Sequence, residues 1–299
     1  MYPLAILIGG PTASRKTQLA FEIQKKIPSC IINADSMQVY DELRTLTNMP
    51  TEKELDEFSC KLFRFIKYPR KCDVGFWIEN VKNILKKIKD KVPIFVGGTG
   101  LYLDSLNNTI SPIPKIPRKV NEKIEKIHSK LGNTFFYNKL QKIDIEYSKV
   151  ISKNDPQRLI RSIAVKVATG KNISYWHKMK PNKIFRKILF VVIARDRKKL
   201  YKSIDDRCYR ILKSEAIDEA RDFLKKKEKN YDHPLHKSIG LRSIENYING
   251  ESDFEKTFQT FSQDTRRYAK RQITWFKNRS ENASHLEFSD AKNFLLRNI

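Results

Sequence analysis

A short apolar segment that runs into a glycine loop and then into a helix places the strongest constraint on the fold of this chain. The apolar segment covers residues 4–8, the loop covers 9–15, and the helical pattern begins at Lys16. Uniformly apolar runs of this length are typical of parallel strands that are covered on both faces. The first N–H groups of the helix have no partner within it, so strand, loop and helix together predict a phosphate-binding site.

The loop has the frame of a phosphate-binding loop (P-loop), G-x-x-x-x-G-K-[ST]. The residues in this frame are Gly10, Pro11, Thr12, Ala13, Ser14, Arg15, Lys16 and Thr17. We expect Lys16 to neutralise phosphate charge and the Thr17 hydroxyl to face Mg²⁺. Arg15 stands where the frame has its second glycine.

Further apolar runs at 30–32, 93–96 and 188–194 alternate with helical patterns such as 16–27. This alternation predicts an α/β fold with a parallel-sheet P-loop core. A proline-rich stretch, 112–117, cannot continue a helix or a central strand and is typical of a connector.

Beyond the connector, Val120, Ile124, Ile127 and Leu131 recur at helical spacing. We therefore expect three regions. They are the first part of the α/β core over 1–112, a helical insert domain over 113–182, and a last core strand with a helical C-terminal region over 183–299. From residue 198 to the end the pattern predicts helix only.

Positive charge is concentrated after the first sixty residues. The chain has 59 Lys and Arg against 34 Asp and Glu, for a net charge of +25. Residues 1–60 hold six basic and eight acidic side chains, a net of −2, so residues 61–299 carry +27. A polyanion is the usual partner of such a surface. The charge pattern favours a nucleic acid as the partner of the downstream region.

Composition excludes several other classes of protein. A hydrophobic fraction of 40% argues against a wholly disordered chain. The four cysteines form no C-x-x-C pair, which argues against a zinc site or a disulfide framework. The N-terminal residues do not resemble a signal peptide, and the longest apolar run is far shorter than the roughly 20 residues of a membrane span. We expect a cytoplasmic protein that does not enter a membrane.

Two polar segments follow predicted strands, at the end of the sheet where α/β proteins bind ligands. Asp35 follows the second strand, where a carboxylate can accept a proton or help to hold a metal; the alternative is a helix N-cap. Thr99 lies within the glycine-rich segment 97–100. That segment allows the backbone to approach a ligand, or is a plain turn.

Two basic segments lie further along the chain. Arg158 and Arg161 are three residues apart on a predicted helix, and by themselves fit a solvated basic face. Residues 265–279 contain six basic side chains and no acidic one, interleaved with Tyr268, Trp275 and Phe276. These aromatic rings either stack on bases or anchor the helix in the core.

Taken together and in this order, five segments resemble the motifs of the tRNA dimethylallyltransferase family. The segments read GGPTASRKT, NADSMQVY, GGTGLY, NDPQRLIR and TRRYAKRQITWF, and the resemblance extends from about residue 4 to residue 279. It implies an enzyme that transfers a dimethylallyl group from dimethylallyl diphosphate to an adenosine of tRNA. The acceptor is the exocyclic amine of the adenosine 3′ of the anticodon in tRNAs that read codons beginning with U.

The resemblance also implies a role for individual residues. Asp35 is expected to be the general base, with Thr99 near the reacting centre and Lys16 as a counter-charge. The diphosphate is expected to contact the loop from Gly10 to Thr17 together with Arg207, and Thr17 to bind Mg²⁺. The residues implied to contact tRNA are Asp35, Ser36, Met37, Gln38, Thr99, Asn121, Gln157, Arg158, Leu159, Ile160, Arg161, Lys237, Arg242, Lys270, Arg271, Gln272, Trp275 and Lys277. The partners are then a tRNA anticodon stem-loop, through the helical insert among other regions, and dimethylallyl diphosphate, and we expect a monomer.

Arg15 departs from the family motif and leaves two alternatives open. If its Cβ crowds the loop, an Arg15→Gly substitution raises turnover without changing tRNA affinity. If the guanidinium lies outside, it can add a charge-assisted contact to the same phosphates.

Two other functions are compatible with the sequence. One is a tRNA-binding relative whose catalysis is impaired through Arg15. The other is a P-loop enzyme for small molecules, either a kinase that consumes ATP or a transferase acting on free adenine nucleotides, which does not need the basic segment 265–279.

Overall fold

The computed structural model describes residues 1–88, 90–109, 111–179, 183–226 and 232–299. These residues form two compact units. The first comprises Met1–Asn108 and Ile184–Ile299, and the second comprises Thr109–Lys183.

The first unit is built on one parallel sheet of six strands. The strands are β1 (Tyr2–Gly9), β2 (Ser29–Asn33), β3 (Cys60–Lys61), β4 (Val92–Val96), β5 (Phe185–Ile193) and β6 (Ser284–Leu286). Their order across the sheet is β3-β2-β4-β1-β5-β6, and every neighbouring pair is parallel. The predicted α/β fold is confirmed.

Helices cover both faces of the sheet. Those of the first unit are α1 (Lys16–Gln24), α2 (Glu52–Glu57), α3 (Val74–Leu85), α4 (Gly100–Asp104), α9 (Arg197–Leu212), α10 (Ala216–Leu224), α11 (Leu241–Ile248), α12 (Phe254–Arg279) and α13 (Phe288–Asn298). A π-helical turn, Ser105–Thr109, follows α4, and a 3₁₀ turn, Pro234–Lys237, precedes α11. The second unit contains α5 (Arg118–Ile143), α6 (Ile145–Ser148), α7 (Pro156–Thr169) and α8 (Ile173–Lys178).

Strand β1 shows why its sequence is uniformly apolar. Ala5 and Leu7 belong to the core on one face of the sheet, whereas Ile6 and Ile8 belong to the core on the other face. Successive side chains of a strand point to opposite faces. Because both faces are covered, an alternating polar pattern is absent and the loop after β1 starts from a rigid, buried base.

Two short strands were not predicted, and the expectation of helix alone after residue 198 is wrong. Strand β6 forms the edge of the sheet and pairs with β5 through three residue pairs, from Val191 with Ser284 to Ile193 with Leu286. Strand β3 has two residues, which pair with β2. Pairing with a neighbouring strand defines these segments, because neither is long or apolar enough to produce a pattern of its own.

The second unit packs α5 against α7. Ile124, Phe136 and Leu140 of α5 and Leu159 of α7 are buried in one core. The predicted helical stripe is real up to Ile127, but Leu131 is 49% exposed. Gly132 follows it with φ +73° and interrupts the helical backbone of α5.

Within the residues that the structure describes, no helix is long and apolar enough to cross a membrane.

Neighbouring leucines in α13 test whether the C-terminal helix is part of the core. Leu295 is fully buried in the sheet core, whereas Leu296 is 37% exposed. We expect Leu295→Ala to lower the free energy of unfolding by about 2–5 kcal/mol, because it removes buried methyl groups and leaves a cavity. Leu296→Ala, the matched control, should cost less than about 1 kcal/mol in the same urea titration. Equal losses in the two variants would contradict this packing.

Candidate active site

The phosphate-binding loop connects Gly9 of β1 to Lys16 of α1 with an unusual backbone. Gly10, Ala13 and Arg15 have φ angles of +140°, +61° and +70°. Positive φ is uncommon for residues other than glycine. The loop therefore turns tightly at the N-terminus of α1, where an anion is favoured by the free N–H groups and the helix dipole.

Two buried polar atoms in or beside the phosphate-binding loop have no partner among the described residues. They are Oγ of Ser14 and Nε of Arg207. Arg207 comes from α9, and its Nη2 donates to the hydroxyl of Thr12. Since unpaired buried polar atoms are costly, these atoms indicate a polar ligand beside the loop, and the oxygens of a phosphate are suitable acceptors.

Lys16 lies folded over the loop. Its Nζ donates to the carbonyl oxygen of Pro11 over 2.7 Å. Burial lowers the pKa of Lys16 to about 8, while Asp35 raises it and Arg207 lowers it. These influences show that the structure brings together three of the residues predicted from separate motifs.

Asp35 is held at the end of β2 by its neighbours. Its N–H donates to Oδ1 of Asn33 over 2.9 Å, and its Oδ1 accepts from the N–H of Met37 over 2.9 Å. Oδ2 has no hydrogen-bond donor among the described residues. This orientation leaves one carboxylate oxygen available to accept a proton.

Thr99 lies next to this turn. Its Oγ1 accepts from the N–H of Ser36 over 2.9 Å and donates to the hydroxyl of Ser36 over 3.1 Å. The carboxyl end of β4 is thereby joined to the segment that carries Asp35.

The glycines of the segment 97–100 allow other groups of the protein, and not only a ligand, to approach the backbone closely. A Cβ on Gly97 would lie 2.0 Å from the carbonyl oxygen of Ala34. One on Gly98 would lie 2.2 Å from Gln272, and one on Gly100 would lie 2.1 Å from Trp275. The predicted close approach is therefore made, at least in part, by the backbone of residue 34 and by side chains of α12.

Helix α12 contributes residues whose role in the site was not evident from the sequence. Gln272 is buried, and the structure corrects its expected place on the tRNA surface. Tyr268 lies near Asp35: burial raises the pKa of its hydroxyl and Asp35 raises it further, while Arg271 and Arg207 oppose the shift. On the same helix Phe276 is fully buried, so this ring is a core anchor.

The side chain of Arg15 points away from the phosphate-binding loop. Its Nε donates to Oε1 of Gln18 over 2.7 Å, and its guanidinium lies 4.3 Å from the ring centre of Phe288 in α13. The side chain is exposed to solvent. Of the two alternatives, the structure supports a guanidinium outside the loop, where it binds protein groups.

Most of the residues expected to bind tRNA in the first unit have accessible side chains. Ser36, Met37, Gln38 and Trp275 are partly buried, and the exposed ones are Lys237, Arg242, Lys270, Arg271 and Lys277. Nε2 of Gln38 donates to the carbonyl oxygens of Thr47 and Asn48, over 3.1 and 3.0 Å. Its amide oxygen is therefore oriented away from those carbonyls.

The remaining tRNA candidates belong to the second unit. Gln157, Arg158 and Arg161 are exposed at the start of α7, whereas Asn121 and Ile160 are partly buried. Leu159 departs from the expectation: its side chain is fully buried in the helical core, so it is not available for contact with tRNA.

Comparison with known proteins identifies the family of this chain. The model of the IPP transferase family matches residues 38–279. The chain belongs to this family. It is 40% identical to the tRNA dimethylallyltransferase of Pelagibacter ubique over 92% of this chain and 88% of the relative. Identity to the tRNA dimethylallyltransferase of Rickettsia conorii is 36%, over 97% of this chain and 80% of the relative.

A solved structure of a eukaryotic dimethylallyltransferase acting on tRNA has the same fold. The TM-score is 0.81 at 25% identity, and the match covers 92% of this chain and 70% of that chain. The resemblance inferred from the five motifs is thus confirmed. In this IPP transferase family member, Arg15 occupies a loop position that the family motif assigns to glycine.

The site fits Mg²⁺ only if a phosphate ligand supplies most of the oxygen atoms that coordinate the ion. Among the described residues, no group of three or more His, Cys, Asp or Glu side chains could hold a metal. Thr17 offers one hydroxyl in the first turn of α1. Mg²⁺ usually keeps several waters and binds through phosphate oxygens with few protein ligands, so one hydroxyl beside a diphosphate is a sufficient protein contribution.

The lowered pKa of Lys16 predicts a pH dependence of anion binding. Below about pH 8 the free lysine is protonated and attracts an anion; above it the charge is lost and the affinity for pyrophosphate should fall. Calorimetry from about pH 6.5 to about pH 9.5 on the wild type and on Lys16→Arg checks this, because arginine stays protonated throughout. The titration of pyrophosphate itself cancels in the ratio of the two dissociation constants. A ratio that does not change with pH would contradict the assignment.

The position of Arg15 predicts that the glycine of the family motif is tolerated but not required. Arg15→Gly removes backbone strain of about 1–2 kcal/mol and a cation–π contact of about 0.5–1 kcal/mol. We expect the free energy of unfolding to change by less than about 1 kcal/mol, and pyrophosphate affinity by less than about threefold. Arg15→Val, which lacks the guanidinium and keeps the strain, should be less stable than Arg15→Gly. A tenfold change in affinity in Arg15→Gly would instead indicate a direct phosphate contact or a crowded loop.

Proposed function

We propose that this protein transfers a dimethylallyl group from dimethylallyl diphosphate to the exocyclic amine of an adenosine in tRNA, releasing diphosphate. The adenosine is the one 3′ of the anticodon in tRNAs that read codons beginning with U. The observation that carries the proposal is the grouping of Lys16, Asp35 and Arg207 at one rim of the sheet. Membership of the IPP transferase family supports the choice of this reaction.

The loop and Arg207 hold the leaving group in this proposal. Lys16 and Arg207 are cations, and the unpaired Ser14 hydroxyl and Arg207 Nε supply further donors. Charge that develops on the diphosphate as the C–O bond breaks is stabilised by such preorganised groups. When bound, Mg²⁺ would neutralise further negative charge on the diphosphate, with Thr17 as its protein contact.

Asp35 and Thr99 act at the other end of the transferred group. The amine nitrogen of adenine forms a bond to the allylic carbon, and Oδ2 of Asp35 accepts the proton that this nitrogen loses. Thr99, fixed by its bonds to Ser36, orients the amine. In-line geometry requires the amine and the diphosphate to lie on opposite sides of the carbon.

The adenosine must leave its stack to reach this rim, at a cost of a few kcal/mol, which contacts to the tRNA backbone offset. Loop bases of an anticodon stem-loop are suitable because they are not paired in a duplex. We propose that exposed cations of α12, including Lys270, Arg271 and Lys277, form part of this surface. We also propose that Arg158 and Arg161, on the helical unit Thr109–Lys183, contact tRNA.

We further propose that the enzyme acts as a monomer in the cytoplasm. All four side chains assigned to the chemistry, Lys16, Asp35, Thr99 and Arg207, come from one chain, so a second copy is not needed to complete the site.

A matched pair of aspartate variants tests the proposed function. The wild type with dimethylallyl diphosphate, Mg²⁺ and an unmodified anticodon stem-loop should yield adenosine heavier by one five-carbon prenyl unit in mass spectrometry. Asp35→Asn should lower the rate at least about 100-fold, because the amide cannot accept the proton. Asp56→Asn, on the exposed surface of α2, should not change it. Stem-loop binding without transfer would indicate a catalytically impaired relative, and prenylation of AMP in preference to the stem-loop would indicate a free-nucleotide enzyme.

A further inference from the structure

Gln272 joins the two loops that surround the proposed reaction centre. Its Oε1 accepts from the N–H of Thr12 over 2.8 Å, and its Nε2 donates to the carbonyl oxygen of Gly98 over 2.9 Å. Thr12 belongs to the phosphate-binding loop, and Gly98 directly precedes Thr99. One side chain therefore connects the loop proposed to bind the prenyl donor with the loop proposed to orient the adenine acceptor.

The chemistry of these contacts fits an amide better than any other side chain. The N–H of Thr12 can only donate and the carbonyl of Gly98 can only accept, so the amide oxygen and nitrogen have fixed positions. A carboxylate offers no donor to Gly98, and an apolar chain satisfies neither group. The absence of a Cβ on Gly98 allows the approach, since a methyl group there would lie 2.2 Å from Nε2.

Gln272 is buried, so these bonds are not replaced by water at low cost. It shares one face of α12 with Thr265, Ala269 and Phe276, which are also buried, while Lys270 and Arg271 are exposed to solvent on the same helix. The helix thus presents cations outward and one amide inward to the site.

We propose that Gln272 is a positioning residue that sets the distance between the phosphate-binding loop and the Thr99 loop, and so aligns the diphosphate donor with the adenine acceptor. This inference rests on the proposed function. Gln272 touches neither substrate in this scheme; it acts through Thr12 and Gly98. A small misplacement of reacting groups is enough to slow such a reaction about 100-fold.

The test compares Gln272→Met and Gln272→Glu with the matched control Gln263→Glu, an exposed glutamine of the same helix. Single-turnover rates of prenyl transfer and dissociation constants for the stem-loop are measured for each. Both Gln272 variants should lose at least about tenfold in rate with less than threefold loss of stem-loop affinity. The control should match the wild type. Gln272→Glu keeps the acceptor for Thr12, so it carries the test if Gln272→Met does not fold.

Rates within twofold of the wild type in the folded Gln272 variants would overturn the inference. An equal loss of rate and stem-loop affinity would also overturn it, because it would indicate a surface contact with tRNA. If the wild type itself transfers no prenyl group, the proposed function fails. Hydrogen exchange then decides the contact: the Thr12 amide should exchange faster in Gln272→Met than in the wild type and remain protected in Gln272→Glu, and unchanged exchange in both would rule the contact out.

Discussion

The parallel register of the sheet is the constraint on which the site depends. Strand β4 pairs with both β1 and β2, so that Val96 lies level with Ile8 and with Asn33. The phosphate-binding loop, the Asp35 turn and the Thr99 loop follow directly from these three strands. Because parallel strands end at the same edge, three segments that are far apart in sequence meet there.

Charge at this rim is arranged for an anion. Lys16 and Arg207 are partly buried near Asp35, which leaves two cations to one carboxylate. Burial lowers the pKa of both cations, and their present partners include the carbonyl of Pro11 and the hydroxyl of Thr12. Such an arrangement lowers the stability of the free protein, and in the proposed function a diphosphate supplies the missing negative charge. Functional sites commonly conflict with stability in this way.

The loop tolerates arginine at position 15 because the backbone and the side chain impose separate demands. The backbone requires a positive φ, which arginine adopts at a modest cost. The side chain points outward to Gln18 and to the ring of Phe288, the first residue of α13. A position that the family motif assigns to glycine therefore carries a side chain that joins the start of α1 to α13.

Sequence alone was sufficient for the main strands, the loop frame and the family, because buried parallel strands and strand-end motifs are local patterns. It was not sufficient for β6, which exists through pairing with β5. Nor did it place Gln272, although the helical spacing of Thr265, Ala269, Gln272 and Phe276 would have put its side chain on a buried face. Only the tertiary structure decided which groups that amide binds, because its partners are about 170 and 260 residues away and meet it through the sheet edge and the packing of α12.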